Sequence, residues 1–247
     1  MPEETAQIDD ITPVVKQFYP DAVPLESLMH RVVQSIFNEY DYTPNQILLA
    51  NSICSDDINS LEYPAEARQM LGPFELGGLN GFPFTGLTGM SAFASHVPDD
   101  GAVMIFYGPH IGVTNHGKAG KLTRPGQNKE SSCCGAAALA LSRINEPAKS
   151  DELDYQQIYL QKLMKDNKPR ILSAGMPEME AAEIFYEANE KRLMELIHKT
   201  DFTGNHIFLI GGIIINCRQK FGSYISLRKN SVLEAQSLKI TGRLGIN

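Results

Sequence analysis

The chain has 247 residues, of which 43% are hydrophobic and 21% are charged, and its formal net charge is −7 at pH 7. This length is sufficient for one large α/β domain with a sizeable core. The negative charge argues against nucleic acid as a partner, because phosphate binding requires clustered lysine and arginine. Every apolar run is shorter than the ~20 residues that span a bilayer, so we expect no membrane span.

Four cysteines are present: Cys54, Cys133, Cys134 and Cys217. They are too sparse for a disulfide scaffold, and the adjacent pair rarely forms a bridge. The acidic N-terminus, MPEETAQIDD, has neither the apolar core of a signal peptide nor the arginines of a transit peptide. We therefore expect a reduced, cytoplasmic protein, or an organellar (chloroplast) one if residue 1 follows a removed transit peptide. Its thiols are then available for packing, metal binding or catalysis.

Residues 1–22 are polar and contain proline, which predicts a loosely packed N-terminal arm ahead of a single α/β domain over residues 23–247. Apolar residues at helical spacing predict the helices. The predicted helices are 25–40, 63–71, 88–96, about 131–145 with Ser131 or Ser132 as its cap, 153–165 and 177–199. Short apolar runs predict strands over 47–53, 102–107, 207–217 and 223–227, the last two as a hairpin.

The segment over 72–89 is dense in glycine, which predicts a shaped loop that lets backbone approach a pocket. Phe82 and Phe84 would be apolar walls of that pocket. Alternation of strands and helices predicts a mostly parallel central sheet flanked by helices on both faces. Binding sites in such sheets form outside the carboxyl ends of the strands.

Potential metal ligands follow two of the predicted strands. Cys54 and Asp56 follow the strand over 47–53, and His110 follows the strand over 102–107. Cys133 and Cys134 come shortly afterwards, near a predicted helix start. Two cysteines, one histidine and one open position make a catalytic zinc site.

Two charged residues are candidates for the surroundings of that site. Asp56 lies two residues past Cys54, where its carboxylate can accept from a bound water. Arg124, in the loop before the cysteine pair, can bind Asp56 and keep it off the metal. Each of these residues also has an ordinary structural explanation that competes with a metal site. Cys54 can be a small residue at the end of a strand, and His110 can lie in a turn. Asp56 can be a cap, and Arg124 can be a solvated cation in a loop.

Several segments in this order resemble one known family: CSDDIN, LGGLNGFPFTGLTGMSAFASHVPDDG, YGPHIGV, GKLTRPGQ and SSCCGAA. They resemble the limiting-CO2-inducible protein B/C family, which are β-type (θ) carbonic anhydrases associated with a carbon-concentrating mechanism. The resemblance implies a β-carbonic-anhydrase-like fold, a homodimer and one Zn2+ per site. It implies reversible hydration of CO2 to bicarbonate by a zinc-bound hydroxide.

Carried over residue by residue, the resemblance makes Cys54, His110 and Cys134 the zinc ligands. Cys134 is preferred to Cys133 because Cys134-Gly135-Ala136 is similar to the Cys-Gly-Gly of the β class. Asp56 matches the aspartate of the Cys-x-Asp-x-Arg motif, but Ile58 stands where that motif has arginine. Arg124 is the candidate replacement. Phe82, Phe84 and Leu87 are the expected walls of a small CO2 pocket.

Two other functions remain open at this stage. In a cysteine-dependent hydrolase or amidase, Cys134 would be the nucleophile, His110 the base and Asp56 the group that orients it. Cys54 would then have no role. In a non-catalytic, zinc-stabilised regulatory protein, Asp56 would coordinate the metal and close the site.

Overall fold

The computed structural model describes residues 10–59, 65, 67–147, 151–217 and 221–246. Its strands are β1 (Val23–Pro24), β2 (Ile47–Ser52), β3 (Leu71–Glu75), β4 (Ala102–Tyr107), β5 (His110–Gly112), β6 (Lys121–Leu122), β7 (Ser131–Ser132), β8 (His206–Asn216), β9 (Ser223–Glu234) and β10 (Ile240–Gly242). Its helices are α1 (Thr12–Phe18), α2 (Leu25–Tyr40), α3 (Gly86–Ser95), α4 (Gly135–Ser142), α5 (Tyr155–Asp166), α6 (Lys168–Ser173) and α7 (Pro177–His198).

One main sheet runs in the order β1–β9–β8–β4–β2–β3, with β5 also paired to β8 and β10 to β9. The pairs β3–β2, β2–β4, β4–β8 and β5–β8 are parallel. The pairs β8–β9, β1–β9 and β10–β9 are antiparallel. The predicted mostly parallel sheet flanked by helices is therefore confirmed, as is the antiparallel pairing of the two long C-terminal strands.

Successive side chains of the central strands pack on opposite faces of the sheet, as a period of two requires. Val103 and Ile105 of β4 lie in the apolar cluster that includes α1, α3 and α7. Met104 and Phe106 lie in the cluster on the other face, which includes α2. All six residues of β4 are buried, so this strand is the centre of both layers. Within the described residues, every helix is too short or too polar to cross a bilayer.

The predicted loosely packed arm is wrong for residues 10–22. Residues 12–18 form α1, and Ile11, Val15 and Tyr19 are buried in the cluster beneath it. Their spacing of four residues is a helical signal within a segment that is otherwise polar. Residues 1–9 of the arm lie outside the described part of the chain.

The helix predicted over 63–71 is also incorrect where it can be compared. Residues 60–64 and 66 lie outside the described residues, Ala67–Gln69 is one turn of 3-10 helix, and Leu71 begins β3. The first residues of the glycine-dense segment therefore belong to an edge strand. The serine cap is wrong too: Ser131–Ser132 is β7, and Cys134 is the N-cap of α4.

Glycines allow two loops to meet at the carboxyl ends of β2 and β4. A side chain at Gly81 would place its Cβ 2.3 Å from the carbonyl oxygen of Gly108, and one at Gly108 would place it 1.8 Å from that of Gly212. Both positions also have positive φ, +75° and +149°. The glycine-dense loop is therefore packed against the strand ends where the candidate ligands lie.

Candidate metal centre

Three different connections bring Cys54, His110 and Cys134 together. Cys54 lies two residues after β2, His110 opens β5 after the Gly108-Pro109 turn that ends β4, and Cys134 caps α4. All three residues are buried. Their ligand atoms lie within 4.8 Å of one another. The structure thus assembles a Cys2His group at the carboxyl ends of the parallel strands.

The geometry of this group fits a tetrahedral metal. The two sulfur atoms, Cys54 Sγ and Cys134 Sγ, are 3.9 Å apart. Two zinc–sulfur bonds of ~2.3 Å at the tetrahedral angle separate their sulfurs by ~3.8 Å. His110 Nε2 is buried and has no hydrogen-bond partner among the described residues. A bound cation would satisfy that nitrogen, and this donor set suits zinc.

Asn216 orients His110 for such a role. His110 Nδ1 lies 2.6 Å from Asn216 Oδ1, an acceptor, so Nδ1 carries a ring proton and Nε2 is the nitrogen left for a metal. The register explains the contact: His110 pairs with Ile214 of β8, and Asn216 is the next residue on that face. Asn216 is held by its own donations to Asn59 Oδ1 and Ser223 Oγ.

If the Cys2His group holds zinc, Asn216→Leu is expected to weaken its binding by about 10–100-fold, because the histidine loses the acceptor that fixes its orientation. Competition with a chromophoric chelator measures this affinity. The control is Asn230→Leu on β9, which removes an amide bonded to the backbone of Leu244. That variant should lose stability but keep its zinc affinity; an equal loss in both variants would contradict the orienting role of Asn216.

The hydrogen bond between the two thiols of the group shifts their pKa values in opposite directions. The Cys134 thiol hydrogen bond lowers the pKa of Cys54 to about 4, although burial opposes this. The same contact and burial raise the pKa of Cys134 well above its usual value. The backbone N–H of Asn80 also donates to Cys54 Sγ over 3.1 Å. The metal-free pair therefore retains one proton, which must leave when a metal binds.

Cys133 occupies a different position from Cys134. Its sulfur lies 3.6 Å from His110 Nδ1 and 3.6 Å from Asn216 Oδ1, on the side of the ring that faces away from Nε2. It is not a member of the group of ligand atoms formed by the described residues. The geometry thus places Cys134, rather than Cys133, with Cys54 and His110.

Arg124 binds Asp56 through two hydrogen bonds, Nη1 to Oδ1 at 2.8 Å and Nη2 to Oδ2 at 2.7 Å. It also reaches Asp57 over 3.0 Å. The two side chains of the main pair are only 18% and 14% exposed. Partial burial, the largest single effect, would raise the pKa of Asp56, but the hydrogen bonds from Arg124 together with smaller contributions from Asp57, His110 and the Ile58 backbone lower that pKa to about 2. The loop between β6 and β7 therefore supplies the arginine absent at Ile58.

The arrangement needed for a Cys134–His110–Asp56 hydrolase is not formed. Both carboxylate oxygens of Asp56 accept from Arg124, and His110 Nδ1 is bound to Asn216. Asp56 thus does not orient the histidine. Asp56, the third residue of that triad, is bound to Arg124 instead. Cys54 would have no role in the triad, yet it belongs to the same buried group as Cys134 and His110.

A small cavity of about 30 Å3 adjoins the group. It offers room for one or two water-sized molecules. Its walls include His110 and Cys134 together with Ala137, Leu141 and Phe185. A larger cavity, of about 360 Å3, borders Arg124 and Asn216. Of these two cavities, the small one is lined by candidate ligands.

The predicted aromatic walls lie elsewhere. Phe82 is buried and packs on Phe84 and Tyr159, with ring centroids 4.9 and 4.4 Å away. Leu87 is 46% exposed at the start of α3. None of the three predicted wall residues lines the small cavity as far as the described residues define it. Its apolar wall comes instead from α4 and α7.

Sequence reasoning missed two asparagines at the site. Asn216 closes the apolar run HIFLIGGIIINC, and a polar residue at the carboxyl end of a buried strand was a usable signal. Asn80 lies within the glycine-dense loop, where asparagine is so common in turns that it carried no signal. Both are nearly fully buried, with 0% and 1% exposure.

Solved structures of other proteins share this fold. The crystal structure of PtLCIB4, a homolog of the limiting CO2-inducible protein LCIB, matches with a TM-score of 0.83 at 29% identity, covering 94% of this chain and 98% of that chain. The crystal structure of the limiting CO2-inducible protein LCIB matches with a TM-score of 0.67, covering 94% and 97%; at 18% identity it shows the shared fold alone. No curated protein sequence matches the chain.

The family model of the limiting CO2-inducible proteins B/C beta carbonic anhydrases matches residues 22–234. This range includes β2, β4, β5 and α4, and with them all three members of the Cys2His group. The match therefore covers most of the chain and the whole candidate metal centre. The chain belongs to the family of limiting CO2-inducible proteins B/C beta carbonic anhydrases.

Proposed function

We propose that the protein is a zinc-dependent carbonic anhydrase that hydrates CO2 reversibly to bicarbonate. One observation carries this proposal: a buried Cys54–His110–Cys134 group, with His110 Nε2 unpartnered within the described chain, adjoins a cavity of about 30 Å3. A three-ligand site beside a cavity of this size suits a three-atom substrate. When bound, Zn2+ would act as a Lewis acid that makes water nucleophilic near neutral pH.

Asp56 and Arg124 keep the fourth coordination position free in this proposal. Arg124 binds both carboxylate oxygens of Asp56, so the carboxylate has a partner other than the metal. This arrangement supports the catalytic function over a closed, regulatory site. The carboxylate remains charged across the neutral range because its pKa is lowered to about 2.

The residues that line the cavity have two further roles in this proposal, contact with CO2 and transfer of the proton. Ala137, Leu141 and Phe185 offer an apolar surface to CO2, which has no net charge or dipole. Glu178 at the start of α7 borders the same cavity and is exposed to solvent. Hydration of one CO2 releases one proton, and the Glu178 carboxylate is placed to pass that proton to buffer.

The proposed active form is a homodimer, as the family resemblance implies. Several large apolar side chains remain exposed in the single chain, among them Leu153, Leu172 and Met176 around α5 and α6. These side chains lie in one stretch of the sequence, and apolar surface left exposed in this way favours association with another chain. We assign this region to the contact between the two copies.

Removing zinc is expected to abolish CO2 hydration, and restoring it should recover the rate. The purified protein should contain about one zinc per chain by mass spectrometry, as one Cys2His site implies. Stopped-flow measurement of CO2 hydration before chelation, after chelation and after zinc addition tests the link, with acetazolamide as the inhibitor control. A rate that survives complete removal of zinc would exclude the proposed function.

A further inference from the structure

The backbone of Asn80 is fixed beside the metal centre. Its N–H donates to Cys54 Sγ over 3.1 Å, and its carbonyl oxygen accepts from Asn189 Nδ2 over 3.2 Å. Its φ is +54°, in the left-handed region that asparagine adopts more readily than most residues. The residue is 1% exposed. The direction of its side chain is therefore set by the loop that holds it.

The side chain of Asn80 is unusual for a buried amide. Neither Oδ1 nor Nδ2 has a hydrogen-bond partner in the described part of the chain, and both atoms are shielded from bulk solvent. Leaving a buried polar group unpaired destabilises the folded protein, because its hydration is lost without replacement. Buried polar groups without a protein partner are found at sites where a ligand supplies the missing hydrogen bond.

Asn80 lines the same small cavity as His110 and Cys134. Two residues with unpartnered buried polar atoms, Asn80 with its amide and His110 with Nε2, therefore line one space. The histidine nitrogen fits a metal, whereas a neutral amide fits a small oxygen-bearing ligand. The amide offers that ligand one donor and one acceptor.

We propose that Asn80 is a substrate-binding residue whose amide hydrogen-bonds the oxygens of CO2 and bicarbonate in this cavity. The inference rests on the proposed function. As one C–O bond forms between water and CO2, the electron pair of a C=O bond moves onto the substrate oxygen, and the proton goes to buffer. The Nδ2 donor stabilises the charge that develops on that oxygen. Bicarbonate can use the Oδ1 acceptor through its hydroxyl.

Asn80→Gly and Asn80→Asp test the proposal without disturbing the loop, because both residues tolerate positive φ. Both retain the backbone N–H that donates to Cys54. We expect zinc content to remain at the wild-type level, while kcat/KM for CO2 hydration falls by about 10²-fold, as for removal of one preorganised donor. The aspartate keeps the size and the acceptor but lacks the donor, so it separates donation from packing.

Bicarbonate binding provides a readout independent of turnover. The visible spectrum of the Co2+-substituted protein, titrated with bicarbonate, gives a Kd that should rise at least tenfold in both variants. The control is Asp100→Gly, which makes a similar change at a remote turn residue with φ +56°. This variant should match wild type in metal content, kcat/KM and Kd.

The outcomes separate this proposal from the carbonic anhydrase function. A wild-type protein that binds bicarbonate but does not hydrate CO2 would overturn the function, while the Kd values would still decide the role of Asn80. Unchanged Kd and kcat/KM in Asn80→Gly would overturn that role, as would absence of bicarbonate binding by wild type. Loss of metal from both variants would assign Asn80 to the structure of the site and also overturn it.

Discussion

Cys134→Ser is expected to reduce the zinc content from about one ion per chain to near zero and to abolish CO2 hydration, whereas Cys133→Ser should retain both. Cys134 Sγ lies 3.9 Å from Cys54 Sγ within the Cys2His group, while Cys133 Sγ lies near His110 Nδ1, which is already bonded to Asn216. A serine hydroxyl is a poor zinc ligand because it does not ionise as a thiol does. The loss of affinity should exceed the ~10–100-fold typical of residues outside the coordination sphere.

The pair of variants is closely matched. Both remove one sulfur from adjacent buried residues, and serine at 134 remains a good N-cap for α4, so the helix start is preserved. Zinc content by mass spectrometry, CO2 hydration by stopped flow and the fold by circular dichroism should be measured on the same preparations. Loss of zinc in Cys133→Ser, with retention in Cys134→Ser, would reverse the assignment of the two cysteines.

Parallel sheet topology explains why the Cys2His group could be predicted. Once β2 and β4 are recognised as buried parallel strands, their carboxyl ends must lie at the same edge, which brings Cys54 and His110 together. The choice between Cys133 and Cys134 did not follow from spacing, because adjacent residues differ only in side-chain direction. The family resemblance implied Cys134, and the structure groups that residue with the other two.

The walls of the cavity could not be predicted by the same argument. Phe82 and Phe84 lie two and four residues after Asn80, but their rings pack against Tyr159 of α5, about 75 residues further along the chain. Which apolar residues face a cavity depends on how distant helices pack, and a pattern within one segment does not contain that information. The contact between Asn216 and His110 could not be predicted either, because it depends on the register of β5 against β8.

The partner of Asp56 could be predicted from the sequence only in part. The missing arginine at Ile58 indicated that Asp56 needed another partner, and the chain offered Arg124 in the loop before the cysteines. The structure forms this contact across 68 positions of sequence, with both terminal nitrogens on the carboxylate. The need to balance the charge of Asp56 limited the candidate partners to basic residues. The distance between Arg124 and Asp56 is fixed only in the structure, by the hairpin of β6 and β7.

Arg124→Gln is therefore expected to leave zinc bound while lowering kcat for CO2 hydration by about 10–100-fold, the range seen when groups around a metal site are removed. Without Arg124, the Asp56 carboxylate loses both guanidinium donors and retains the longer bond from the Ile58 N–H, at 3.4 Å, so it can turn toward the fourth coordination position. Arg124→Lys should retain part of the rate, since a single ammonium cannot reproduce the two-pronged contact of the guanidinium. The free energy of unfolding should fall by about 1–3 kcal/mol, which lies between the values for exposed and for buried ion pairs.

A second substitution distinguishes closure of the site from loss of a needed carboxylate. If Asp56 blocks the metal in Arg124→Gln, then adding Asp56→Asn should restore part of kcat, because an amide is a weaker ligand. Co2+ spectra should show four protein ligands in the single variant and three in the double. The control is Arg228→Gln, which breaks a comparable ion pair with Asp21 and Glu183 away from the site and should lower stability without changing kcat. Wild-type kcat in Arg124→Gln would mean that Asp56 stays off the metal without this arginine, so the pair would contribute to stability alone.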